Sequence, residues 1–157
     1  MAGVLARVNS GEVSIANGVT KTVLQLRSAA NHRVKIIGVG ISFKGIVSND
    51  KPMLVEIVRQ TDGGTASAAT PFKNNDGDVE TIQTTAQKTF TVEPSVDSPA
   101  KVLYSVDVHP QGGWQIMFPY GQEIILPGAT TYYLGLRVTS AVGNATTDCV
   151  AQFDFEE

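Results

Sequence analysis

The sequence predicts an all-β protein: one domain, residues 1–157, built as an antiparallel two-sheet sandwich with one long loop excursion. Three observations predict it. Helix-period patterns are almost absent, and the one candidate, DGGTASAATPF, is too rich in glycine and small residues to make a good helix. Short runs rich in β-branched and aromatic residues recur along the chain, many with apolar–polar alternation. Gly, Pro, Asn and Asp separate these runs at positions that suit turns.

Taken in order, GVLARVNSGEVSIA alternates, with Leu5 and Arg7 set against Val4 and Val8, then Val13 and Ile15. KTVLQLRS follows Asn17-Gly18, a strong turn dipeptide. RVKIIGVGISFKGI is a nearly unbroken apolar strand whose Gly38, Gly40 and Gly45 mark bends or close approaches of another backbone. PMLVEIVRQ alternates again, with Leu54, Glu56 and Val58 on one side and Val55, Ile57 and Arg59 on the other. Thr61 to Ala100 is rich in Thr, Ala, Gly and Asp and poor in large apolar residues; it reads as an excursion with one strand, TTAQKTFTVEP. KVLYSVDVH, GWQIMFP, QEIILPG, TTYYLGLRVTS and DCVAQFDFEE complete a set of about nine strands. In the last, Ala151, Phe153 and Phe155 share a face. A strand this apolar must pair on both sides, because exposed as an edge it would aggregate. First and last strands side by side in mid-sheet fit a jelly roll, the arrangement expected here, and other Greek keys as well.

Composition narrows function. The chain is 42% hydrophobic and 17% charged with a net charge of −3, so it has neither the profile of a disordered chain nor a basic footprint for nucleic acid or a membrane surface. The single cysteine, Cys149, allows no intrachain disulfide or Cys-based zinc cage and is expected to be quiet and half-buried. No apolar run reaches signal-peptide or membrane-span length, which predicts synthesis in a cytoplasm without export by the usual route. Asn144-Ala145-Thr146 fits a glycosylation sequon but has no leader to go with it.

No motif announces catalysis. HPQGGWQIMFPYGQEIILPG holds the sole Trp, Trp114, and one of two His, His109. His109 lacks acidic or Cys neighbours at ligand spacing and reads as a strand-end residue beside a turn. Trp114, Ile116 and Phe118 share one face and are expected to point inward, while Tyr120-Gly121 and Pro127-Gly128 turn the chain. NNDGDVE, Asn74 to Glu80, offers oxygen ligands, but its glycine falls too early for an EF-hand loop, so a solvated turn is expected. There is no GxSxG elbow, and no nucleophile, base and orienter occur together. The expectation is therefore no enzyme, no catalytic residue, no metal and no cofactor.

Three segments, TVLQLRSAANHRVKIIGVGISFKG, ETIQTTAQKTFTVEP and HPQGGWQIMFPYGQEIILPG, look like parts of small structural proteins of tailed bacteriophages. Together the chain resembles the jelly-roll cement or decoration proteins that sit on phage heads. That resemblance implies a homotrimer that binds the major capsid protein where capsid subunits meet, on the virion surface, without nucleic acid or membrane as partners. It implies no catalytic residues to carry over. A cement protein buries large areas through loops and apolar patches, and the N-terminal arm, residues 1–10, and the excursion, residues 61–100, are the segments expected to do so. Leu5, Phe72, Phe90 and Val92 are the candidate interface residues; Phe72, Phe90 and Val92 read more readily as a cover for one end of the sandwich. The alternative function is a carbohydrate- or receptor-binding module with Trp114, Tyr132 or Tyr133 as a stacking platform.

Overall fold

The computed structural model describes residues 3–157. They form twelve strands and no helix: β1 Leu5–Ile15, β2 Thr20–Arg27, β3 Val34–Phe43, β4 Met53–Gln60, β5 Thr65–Ala69, β6 Phe72–Lys73, β7 Thr85–Val92, β8 Val102–Val108, β9 Gly113–Met117, β10 Ile124–Leu126, β11 Tyr133–Thr139 and β12 Thr147–Glu156. The pairings are antiparallel and make two sheets. The first runs β10-β3-β12-β1-β6, with β9 pairing the same edge of β3 beyond β10; the second runs β5-β7-β2-β11-β4-β8. β12 lies between β1 and β3, as its apolar face requires.

The inner faces interdigitate into one core. β12 contributes Cys149, Ala151, Phe153 and Phe155; the second sheet answers with Leu24, Leu26, Met53, Val55, Ile57, Leu134 and Leu136, all essentially without solvent exposure. Bulges explain where simple alternation fails. In β1, Ala6 and Val8 point inward, as do Val13 and Ile15, a change of parity. Gly11, at φ 64°, sits in the register shift between Asn9 and Glu12 and supplies it. In β3 the register slips at Ile37, so Val34 and Ile36 face inward and then Val39, Ile41 and Phe43. That slip makes β3 read as an unbroken apolar run, and it turns Gly38 and Gly40 outward. A Cβ on Gly38 would meet the Met117 sulfur at 2.5 Å, whereas Gly45 is closed by backbone, the Pro110 carbonyl.

Two expectations are corrected. Residues 5–10 are not an arm but half of β1, paired with β12; residues 1–2 lie outside the described residues. The excursion holds three strands rather than one: β5 and β7 extend the second sheet past β2, and β6 adds to β1. Small residues (Thr, Ala, Ser) at an edge need no apolar face, so the pattern that marks a core strand is missing there.

The return of the excursion crosses the outer face of the second sheet. Glu93 accepts the Thr22 N–H at 2.7 Å, Val96 bridges to Gln60, and Thr61 N–H donates to the Ser95 carbonyl at 2.9 Å. Beneath it Gln25 and Gln60 are buried in a polar relay. The Gln25 amide donates to Gln60 Oε1 at 2.7 Å and to the Asp62 carbonyl at 2.9 Å, and Gln60 Nε2 donates to Thr22 Oγ1 at 2.9 Å. The Ser95 hydroxyl, with the Gly64 N–H, holds the nearby Asp62 carboxyl below its ordinary range.

Candidate functional site

The sandwich is open along one side, where β8 ends the second sheet and β9 with β10 end the first. Tyr104 of β8 stacks on Trp114 of β9, ring centroids 5.2 Å apart and planes 27° from parallel, so the sole Trp joins the two sheets across the gap. Trp114, Ile116 and Phe118 do face inward against the core, each half-buried. Beside them lies a mainly apolar trough of about 470 Å³; Leu103, Tyr104, Ile116, Phe118, Ile124 and Ile125 are among its walls, together with Arg59, Gln122 and Glu123. β8 pairs with β4 alone, and Val102, Leu103 and Tyr104 are exposed along it.

A second cleft, also about 470 Å³, continues past Arg59 to the start of β11. Arg59, Asp97, Lys101, Thr131, Tyr132 and Tyr133 are among its walls. Arg59 occupies the inward register of β4, after Val55 and Ile57, and reaches across to the first sheet, where Nη2 donates to the Ile125 carbonyl at 2.8 Å. Desolvation lowers its pKa, and the neighbouring Tyr132 phenol opposes the shift. Lys101 pairs with Asp97 at 2.6 Å. Arg27 packs over the Tyr133 ring, 5.6 Å from its centroid.

The candidate interface residues fall in two places. Leu5 and Phe72 lie on the outer face of the first sheet: Phe72, 70% exposed, is opposite Arg7, and the Asn74 N–H donates to the Leu5 carbonyl at 2.9 Å. Val92, 58% exposed, is on β7 of the other sheet. Phe90 is corrected: at 5% exposure it is tucked beneath β7 and offers nothing to a partner, which is the covering role. Thr89, at φ 53° in the irregular pairing with β5, turns the strand there. Of the three aromatic candidates for a stacking platform, Tyr132 and Tyr133 share a cleft, while Trp114 is engaged with Tyr104.

The remaining candidates have structural settings. The His109 carbonyl accepts the Gly112 N–H and its Nδ1 the Gln111 N–H, closing the HPQGG turn. Asn75 closes its own turn, accepting from Gly77 and bonding Asp78. Among the described residues no three His, Cys, Asp or Glu side chains gather where a metal ion could be held. Asn144 is buried, its amide clamped on the Lys51 backbone by two bonds of 2.8 Å, so the sequon side chain is occupied. Cys149 is fully buried rather than half-buried; burial, then Asp148, push its thiol up to about 12 against an opposing effect of Lys21.

What sequence reasoning missed is the open side. The signal available was Arg59, a charge in the inward register of an otherwise apolar strand face.

No protein-family model matches the chain, and no curated protein matches it. Among solved structures, a chain from the structure of infectious bursal disease virus, Gx strain, is similar with a TM-score of 0.24 and 16% identity, over 97% of this chain and 41% of that one. The chain spans about two fifths of that chain's length. At that TM-score the likeness carries no argument, and the fold stands on the strand pairings.

Proposed function

We propose that this chain is a structural protein of a virion, a jelly-roll subunit that decorates and stabilises a capsid of the tailed-bacteriophage kind through protein–protein contacts, with no catalysis of its own. The observation that carries the reading is the apolar trough beside β8, a strand paired on one side only. An edge of this kind is an aggregation hazard unless assembly covers it. The strand order supports the jelly-roll reading. With β5 to β7 set aside, β9/β10-β3-β12-β1 faces β8-β4-β11-β2, and the chain changes sheet at every step but those from β4 to β8 and from β9 to β10. The excursion strands then widen the frame at the edge opposite β8.

The partners in this reading are the major capsid protein and further copies of the chain, as a homotrimer on the virion surface. A head-to-tail contact closes into a ring about a three-fold axis, and each copy then buries one such edge. Light scattering measures the mass in solution, and co-sedimentation with particles of the encoding virus measures attachment. A trimer that pellets with particles is expected, and Leu103→Lys, on the exposed edge, is expected to stay folded and lose attachment. A wild-type chain that stays monomeric and never pellets with particles would overturn the proposal.

A further inference from the structure

The cleft beyond Arg59 adjoins the trough, with which it shares Arg59 and Ile125; Glu123 lines the trough without pairing with Arg59, and a ligand reading of the cleft does not depend on the virion reading. Among the described residues no carboxylate lies within ion-pairing distance of Arg59, although the group is half-buried. One N–H of its guanidinium is satisfied by the Ile125 carbonyl; the rest of a five-donor fork has no protein acceptor there. A half-buried cation left unpaired costs stability, and a ligand anion would relieve that cost. Lys101 adds a second positive charge and Asp97 one negative, so the cleft carries one positive charge in excess. Tyr132 presents an exposed ring at its mouth, 42% accessible, with Thr61 and Thr131 at the rim.

We propose that this cleft binds a pyranose sugar bearing a single carboxylate, of the uronic or sialic acid type. The carboxylate meets the Arg59 fork, where two parallel N–H···O bonds match its geometry. The apolar face of the ring stacks on Tyr132, and Asp97, Lys101 and the threonines serve its hydroxyl groups. The volume lies within the range of small-ligand sites. A bare anion would leave the aromatic face and the acceptor Asp97 without a role. A neutral sugar would leave the guanidinium unpaired.

The test is an amide chemical-shift titration of the isotope-labelled protein with galacturonate, N-acetylneuraminate, galactose, acetate and an acidic tripeptide. One or both acidic sugars should shift residues 59–61, 97–101 and 131–133, and the two arms show which type is held. Galactose should bind at least about tenfold more weakly, as should acetate and the tripeptide. Arg59→Gln should lose at least about tenfold, and Arg59→Lys, which keeps the charge without the fork, should not restore it. Tyr132→Ala, at an exposed position, serves as the folded control and should weaken the sugar but not acetate. Equal binding of galactose, or acetate or tripeptide as tight as the acidic sugars, overturns the proposal. So does a flat titration with both acidic sugars up to their solubility. Particle co-sedimentation is unaffected by any of these results, so the two readings fail separately.

Discussion

Replacing Gly135 with alanine puts a methyl group into the buried polar relay on the outer face of the second sheet. Gly135 sits in mid-strand between Gln25 of β2 and Val58 of β4. A Cβ there would stand 2.5 Å from Gln60 Cδ and 2.7 Å from Nε2, closer than side chains pack. Gln60 would have to move by about 1 Å to reach an ordinary carbon contact of about 3.5 Å. Its freedom to do so is small: it is 4% exposed and holds bonds of 2.7 Å to Gln25 and 2.9 Å to Thr22. Moving it breaks one or both bonds and strands buried polar atoms at about 1–3 kcal/mol each, so we expect a loss of about 2–4 kcal/mol. For a chain of this size that lowers Tm by about 5–15 °C. Calorimetry or urea unfolding measures it, and a double-mutant cycle isolates the cause. In a Gln60→Ala background the same Gly135→Ala change should cost no more than about 0.5 kcal/mol beyond additivity-breaking noise. An undiminished cost in that background would refute the clash with Gln60 as its source.

Phe153→Ala, at the fully buried centre of β12, should cost about 3–5 kcal/mol by urea titration, the cavity adding to the lost burial. Thr89→Gly should stabilise by up to about 1 kcal/mol, seen as a Tm rise of a few degrees, because a β-branched residue at φ 53° gives way to one that adopts it freely. Cys149 should react with an aromatic disulfide reagent only on unfolding. Its folded thiol is pushed up to about 12 from 9.0, so above pH 9 the unfolded chain loses the proton first and stability should fall between pH 9 and 12. In Cys149→Ala that part of the alkaline decline should vanish, read from unfolding midpoints across the same pH range.

Much of the frame is legible in the amino-acid sequence. Alternation in PMLVEIVRQ and DCVAQFDFEE marks the inner faces of β4 and β12, because a half-buried strand must repeat every second residue. The apolar last strand implies its own position between two neighbours, since no exposed edge tolerates it. The triplet Trp114, Ile116 and Phe118 implies an inward face by spacing alone. Where bulges at Gly11 and Ile37 shift the period, the sequence still shows apolar residues but not which of them share a face.

The sequence by itself determined the β class, the turns and the membership of the core, because those follow from local preference and from the period of burial. Tertiary structure alone decided which ends stay open. Edge pairing of β5 and β7 is held by backbone hydrogen bonds, which carry no side-chain code, so the excursion reads as a loop. Phe90 is covered and Val92 is not, a difference that their shared alternation does not announce. Arg59, Lys101 and Tyr132 are far apart along the chain, and only the gap between the two sheets brings them to one cleft. An unpaired charge is a property of what surrounds it, and those surroundings come from three separate strands and loops.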